Sequence, residues 1–326
     1  MSPGLASPID TDVLIIGGGP AGLTAALALV RQLHTVILFD SGNYRYPSER
    51  SPNMHIVLGW DHKDPAAFRA DARENITSQY DTINIEETKV ENVRKTEEGN
   101  FEATDASGKK WVGKKLILAS GNEDVFPDID GYDDCWATGI LHCFFSTGYE
   151  SRNASSSGML AVDLLTEPAY CIHAARHALQ ITPEVTIYTH GSEDVAKRFE
   201  AALGLDSKFK IDSRRISRLE KGPQLSEIIL HFDDGTSKLE GFLGHAPITR
   251  QKGPFAKQLG LEIDQMGDIV THGPVMQTSV KGVFAAGDCA SPVKMVTAAM
   301  SMGCNSGVGS SAEILADALG QKTMFG

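Results

Sequence analysis

Val13-Leu14-Ile15-Ile16-Gly17-Gly18-Gly19-Pro20-Ala21-Gly22-Leu23 compresses a strand, a phosphate turn and a helix start into one short stretch. Val13 to Ile16 is a continuous apolar run, the signature of a parallel strand buried on both faces. Gly17, Gly19 and Gly22 follow with dinucleotide spacing: the first permits the tight turn, the second lets backbone approach a pyrophosphate, and the third lets helix and strand pack closely. The helix expected from Ala21 to about Gln32 then points its positive end at the phosphates. A second apolar strand, Thr35 to Phe39, ends in Asp40. A carboxylate there accepts both hydroxyls of an adenosine ribose and repels a 2′-phosphate.

Working outward, Asn43 to Asp64 is a long loop that contains His55, Asp61 and His62, and Pro65 to Tyr80 has helical spacing. Ile83 to Val93, Phe101 to Thr104 and Lys109 to Trp111 suggest short antiparallel strands, and Lys115 to Ala119 a buried one closed by Ser120-Gly121. A second strand-helix-strand unit starts at Gly158 to Val162, with a helix from Ala169 to about Gln180 and a strand Val185 to Tyr188. Its connecting loop, Asp163-Leu164-Leu165-Thr166-Glu167-Pro168, has no glycine, and two carboxylates would face any pyrophosphate. That weighs against a nicotinamide cofactor. Ser155-Ser156-Ser157 has the composition of a hinge. Near the C-terminus, Gly282-Val283-Phe284-Ala285-Ala286-Gly287-Asp288 reads as a turn, a buried strand and a glycine-aspartate end, followed by a helix from about Met295 to Leu319.

The 326 residues suffice for two full cores, and 41% hydrophobic content is that of an ordinary globular chain. No apolar run approaches the ~20 residues needed to span a bilayer, and the start lacks a leader pattern. Five scattered cysteines, Cys135, Cys143, Cys171, Cys289 and Cys304, suit reduced thiols in a cytoplasmic protein. A formal charge of −12 disfavours nucleic acid or an anionic membrane as partner. No metal-ligand set is evident from spacing.

Together, the Gly17-to-Gly22 turn and the Gly282-to-Asp288 stretch resemble the low-molecular-weight thioredoxin reductase family of flavoproteins. Leu118-Ala119-Ser120-Gly121 and Gly241 to Pro247 match further family segments. His55 to His62, His142-Cys143, Gly148-Tyr149-Glu150 and Gly253 to Leu259 are similar to the fungal gliotoxin-type dithiol oxidases, which pass electrons from a dithiol through FAD to oxygen. The resemblance implies an α/β fold of two Rossmann-like domains of the three-layer ββα type, the second inserted in the first. FAD binding is expected from 1–121 with 245–326, and a degenerate nucleotide-binding-like domain from 122–244. It also implies a homodimer. By the same resemblance FAD is held by Gly17, Gly19, Pro20, Ala21, Gly22, Asp40, His55, Val90, Ser120, Gly121, Gly287 and Asp288, with amide donors from Met295, Val296 and Thr297.

The departures shape the chemistry. Family members carry Cys-x-x-Cys before Gly-Tyr-Glu, whereas this chain reads Cys143-Phe144-Phe145-Ser146-Thr147-Gly148. Ser146 cannot close a disulfide, and Thr147 stands where the family has an acid or histidine. The leading expectation is an FAD-dependent oxidase of a small secondary metabolite, with hydride transfer to flavin, O2 as acceptor and His142 as base. Three alternatives stand beside it: a thiol oxidase using Cys143, an NADPH-dependent flavin reductase or monooxygenase, and a non-catalytic flavin-binding protein. The catalytic candidates are therefore His142, Cys143, Ser146 and Thr147. Phe144 and Phe145 could line an apolar pocket.

Overall fold

The computed structural model describes residues 9–46, 51–204, 207–224 and 226–325. Residues 47–50 of the expected Asn43–Asp64 loop, and the start of the chain through Pro8, lie outside the described residues. In chain order the elements are β1 Thr11–Ile16, α1 Pro20–Val30, β2 Val36–Phe39, α2 Pro65–Thr77, β3 Ile83–Glu86, β4 Val90–Lys95, β5 Phe101–Asp105, β6 Lys110–Leu118, β7 Asn122–Val125, α3 Tyr132–Cys135, β8 Ile140–Leu141 and α4 Phe144–Thr147. There follow β9 Ser157–Leu160, α5 Pro168–Ile181, β10 Val185–Tyr188, α6 Glu193–Leu203, β11 Phe209–Asp212, β12 Ile216–Lys221, β13 Ile228–Phe232, β14 Ser237–Glu240, β15 Leu243–Gly244, β16 Ile248–Gln251, α7 Phe255–Leu259, β17 Val283–Ala285 and α8 Val296–Ala318.

The chain divides into two compact units: residues 1–45, 66–123 and 249–326 form unit 1, and 46–65 with 124–248 form unit 2. The sequence expectation placed 46–65 with the first segment; in the structure this stretch clusters with unit 2. In unit 1, β3-β2-β1-β6-β17 is a parallel sheet. β1 and β2 are almost wholly buried, as their apolar runs require.

Two sequence expectations are corrected here. Ile83 to Val93 is not one antiparallel strand, because β3 joins the parallel sheet beside β2 while β4 starts a separate hairpin with β5. Lys109–Trp111 and Lys115–Ala119 are not two strands either. β6 runs through both: along one edge its first half pairs antiparallel with β5 and its second half parallel with β17.

α1 and α8 lie against each other through small residues. A Cβ at Gly303 would fall 2.1 Å from the Ala21 carbonyl oxygen, and one at Gly307 2.9 Å from that of Ala25. Glycine inside a helix costs about 1 kcal/mol against alanine, which the close approach offsets by burying both backbones. α8 is also tied to the sheet by the buried Lys115–Glu313 ion pair, 2.9 Å.

Unit 2 carries a parallel sheet β11-β10-β9-β15-β8 and an antiparallel sheet β12-β13-β14. α6, which the sequence reading leaves unassigned, has clear local causes. The Val195 N–H donates to Ser192 Oγ (3.3 Å), Glu193 and Asp194 sit in its positive first turn, and Gly204 ends it at φ +72°. The expected hinge Ser155–Ser157 is corrected: Ser156 and Ser157 are buried, Ser156 Oγ bonding Glu240 and Ser157 Oγ lying 2.7 Å from Thr182 Oγ1. Among the described residues no helix is long and apolar enough to cross a membrane.

Candidate functional site

The β1–α1 turn shows why its glycines are spaced as they are. Gly17 has φ +124°, and a Cβ there would lie 2.1 Å from the Ala119 carbonyl oxygen; one at Gly22 would lie 1.9 Å from that of Gly17. These two positions are closed to any side chain by the protein itself. Gly19 differs, since a Cβ there would meet nothing within 4 Å. No side chain caps α1, whose first turn begins with Pro20. The turn thus offers backbone donors beside open space, which fits the pyrophosphate of a dinucleotide.

Asp40, its side chain only 4% exposed, ends β2. It accepts from the Gly42 N–H (2.9 Å), the Tyr44 hydroxyl (2.5 Å) and Arg73 (3.1 Å). Burial, and then the hydrogen bond to Asp40, push the Tyr44 phenol up to about 12. The Arg69 guanidinium lies 3.6 Å over the Tyr44 ring. Sequence reasoning missed Tyr44, Arg69 and Arg73, because nothing local ties α2 to the end of β2.

The other expected cofactor residues lie in unit 1 apart from His55. Val90 is buried in β4, and Ser120-Gly121 follow β6. A Cβ at Gly287 would come 3.0 Å from Ala21 Cβ, which brings the glycine-aspartate end beside α1. Asp288 accepts from Arg45 (3.1 Å). Lys294, a further residue the sequence did not flag, donates to Asp268 and to the carbonyls of Asp288 and Ser291, each at 2.9 Å. It fixes the turn that leads to Met295, Val296 and Thr297, where α8 begins without a side-chain cap.

The redox candidates lie in unit 2. Cys143 is partly exposed in extended backbone and precedes the single turn α4. Its carbonyl accepts from the Ser146 and Thr147 N–H groups and from the Thr147 hydroxyl, each at 3.2 Å. Thr147 Oγ1 is therefore committed to the backbone. His142 stacks on Tyr46 with ring centroids 4.9 Å apart and lies 5.8 Å from Trp136. The two phenylalanines do not form one lining: Phe144 packs on Phe242, while Phe145 is 68% exposed and meets His177 edge-on. Of the other cysteines, burial pushes Cys135 and Cys289 up to about 11 and Cys171 to about 12, which makes them inert apolar side chains. Cys304 is exposed.

The turn between β9 and α5 has a different build. Asp163–Thr166 forms a 3-10 turn with Asp163 at φ +50°, and α5 then starts at Pro168, which has no N–H to offer. Asp163 Oδ2 and His245 Nε2 are both buried without a hydrogen-bond partner, 3.9 Å apart. Burial raises the Asp163 carboxyl and lowers His245 to about 4, so the two face each other toward their neutral forms rather than as an ion pair. Tyr132 Oη meets the opposite ring nitrogen of His245 at 2.6 Å.

His55, expected at the cofactor, has Nε2 3.1 Å from His62 Nδ1 and 3.5 Å from Glu150. The sequence places His55, Asp61 and His62 together in one polar loop, but not Glu150 beside them.

Residues 11–159 and 185–303 match the pyridine nucleotide-disulphide oxidoreductase family. The chain belongs to that family. It is an FAD-dependent oxidoreductase. Family relatives include thioredoxin reductase tcpT of Claviceps purpurea, 42% identical over 96% of this chain and 97% of that one. Thioredoxin reductase aclD of Aspergillus oryzae is 41% identical over 94% and 96%. Among solved structures, an oxidoreductase from Agrobacterium tumefaciens superposes with TM-score 0.79 at 29% identity, covering 94% and 99% of the two chains. A putative thioredoxin reductase TrxB from Bacillus anthracis gives 0.82 at 21% identity, over 94% and 99%, which supports the fold. The expected thioredoxin reductase-like α/β fold and the FAD cofactor thus hold for this chain.

Proposed function

We propose that this family member oxidises a small metabolite directly at FAD, with O2 as the electron acceptor and without a redox disulfide. The observation that carries this reading is the β9–α5 turn. A glycine-free 3-10 turn with two carboxylates, Asp163 and Glu167, disfavours a nicotinamide dinucleotide there. With Ser146 in place of a second cysteine as well, this reading leaves the organic substrate as the electron donor.

When bound, FAD supplies a two-electron acceptor that oxygen can re-oxidise. Gly17, Gly19, Pro20, Ala21 and Gly22 would hold its pyrophosphate, Asp40 its adenosine ribose and Asp288 its ribityl chain. Val90, Ser120, Gly121 and Gly287 would form the walls, and Met295, Val296 and Thr297 would present the donors at the start of α8. His142, held flat against Tyr46, takes the proton that leaves the substrate. Ser146 donates a hydrogen bond to the same substrate, and Thr147 shapes the turn through its bond to the Cys143 carbonyl. The same reading carries a homodimer, for which light scattering would give twice the chain mass.

A second reading rests on Cys143. It is the one partly exposed cysteine beside the altered motif, and the relatives named above are called thioredoxin reductases. In that case Cys143 would form a mixed disulfide with one thiol of a dithiol substrate, the two electrons of that oxidation going to FAD. The substrate's second thiol would then displace Cys143 as the leaving thiol and close the substrate disulfide. Anaerobic mixing of the yellow protein with NADPH or NADH, then with small dithiols, separates these readings. Flavin absorbance that persists under nicotinamide and dithiol alike, with recovery in air after chemical reduction, is expected. Bleaching by NADPH overturns the first reading. Bleaching by dithiol that Cys143→Ala abolishes establishes the second.

A further inference from the structure

The segment from Met54 to Lys63, within unit 2, is closed on itself. The Met54 N–H donates to the Lys63 carbonyl (2.8 Å) and the His62 N–H to that of Met54 (2.9 Å). Inside the loop, Asp61 Oδ1 accepts from the Ile56 N–H (3.0 Å). Ile56 and His62 both sit in the left-handed region, at φ +62° and +60°. For β-branched Ile56 that conformation is strained, and strain of this kind persists where surrounding structure fixes a functional geometry.

What the strain secures is a meeting of three side chains. The His55 and His62 rings stand nearly perpendicular, 81°, with centroids 4.7 Å apart. His55 Nε2 and His62 Nδ1 are 3.1 Å apart, and Glu150 Oε1 lies 3.5 Å from the first and 3.9 Å from the second. The corners of such a triangle are about 2.0–2.1 Å from a common centre, the length of zinc–imidazole and zinc–carboxylate bonds. Asp61, through its other oxygen, lies 3.3 Å from His62 Nε2. A carboxylate on that nitrogen draws the ring proton to Nε2 and leaves the Nδ1 lone pair facing the centre, the arrangement that orients metal-bound histidines. Two neutral imidazoles and one carboxylate suit a borderline divalent ion. His62 and Glu150, at 60% and 39% exposure, leave the centre open to solvent.

We infer that His55, His62 and Glu150 form a binding site for one zinc-class divalent ion, which ties the Met54–Lys63 loop to the turn after α4. Among the described residues no fourth His, Cys, Asp or Glu joins the group, so water or an exogenous donor completes a tetrahedral shell. The site is independent of which substrate reduces the flavin. Asp61 is a positioning residue that acts through His62.

The test uses the full-length flavin-loaded protein, stripped with a chelator, re-equilibrated with micromolar Zn2+ and assayed by elemental analysis beside flavin content. One zinc per chain is expected. Glu150→Gln and His62→Ala should each weaken zinc binding at least ~10-fold while flavin content is unchanged. Glu150 is partly exposed on a short turn, so Glu150→Gln keeps the test sound if His62→Ala folds poorly. Cys304→Ser should leave zinc binding unaltered. Failure of the wild-type chain to take up zinc overturns the inference and leaves a proton-bridged histidine pair. Uptake that both ligand variants retain, or that Cys304→Ser abolishes, overturns it as well, because the ion then sits on thiols.

Discussion

At the β1–α1 turn of unit 1, Gly17 and Gly22 are enforced by contacts with carbonyl oxygens and Gly18 by the Asp40 carboxylate, while Gly19 opens onto free space. At the β9–α5 turn of unit 2 the same strand-to-helix step is made by Asp163–Thr166 and Pro168. Both turns end on the start of a helix, so both inherit a positive dipole end. Both helices also begin with a proline, Pro20 and Pro168, so what separates the turns is a glycine-rich stretch opening onto free space in one and a glycine-free 3-10 turn carrying Asp163 and Glu167 in the other. The same strand-to-helix topology thus carries two turns of different composition.

The most severe way to break the comparison is to give the first turn the bulk of the second. Gly22→Val should force a side chain into the Gly17 carbonyl, abolish flavin retention and lower stability by about 3 kcal/mol or more, as read by flavin absorbance and chemical denaturation.

Next in size is a pH effect at His245, the histidine that faces Asp163 of the second turn. His245 is wholly buried and titrates near 4 when folded, against about 6.5 unfolded. Between those values the unfolded chain binds the extra proton. The stability carried by the neutral ring is complete above about pH 6.5 and is lost as pH falls toward 4, by roughly 3 kcal/mol. Urea melts across that range should show a shallower slope for His245→Gln than for the unaltered chain.

Gly19→Ala should be milder and more selective. Its Cβ meets no protein atom, so the melting temperature should barely move, while flavin affinity falls about tenfold, ~1.4 kcal/mol, in equilibrium dialysis. The smallest effect is expected from Asp163→Asn with Glu167→Gln. Removing both charges should leave flavin bleaching by NADPH slow or absent, since the glycine-free 3-10 geometry remains. A large gain would mean that charge alone separates the two turns.

Legibility followed sequence distance. The first turn is local, and its glycines, strand and acid stand in order, so fold class and dinucleotide binding could be read directly, while FAD followed from the family resemblance. α6 carried its own cap at Ser192 and acids at Glu193 and Asp194, yet lacked a motif to draw attention to it. β3 looked like half of an antiparallel pair because its parallel partner β2 lies far upstream, beyond the reach of any hairpin pattern. Arg73 over Asp40 and Glu150 beside His55 and His62 arise only from tertiary packing, which short-range spacing cannot encode. Where polar residues filled expected loops, as in Ser155–Ser157, composition suggested mobility and burial overruled it.

β6 has a consequence for the order in which the chain can fold as it leaves the ribosome. Its second half waits for β17, and Lys115 waits for Glu313, nearly 200 residues downstream. Every segment of unit 2 has been synthesised by Ile248. The inserted unit can therefore mature on a nascent chain while the enclosing one still lacks an edge strand and its longest helix. Until β17 emerges, the apolar edge at Leu116–Leu118 stays unpaired and is the segment a chaperone must shield.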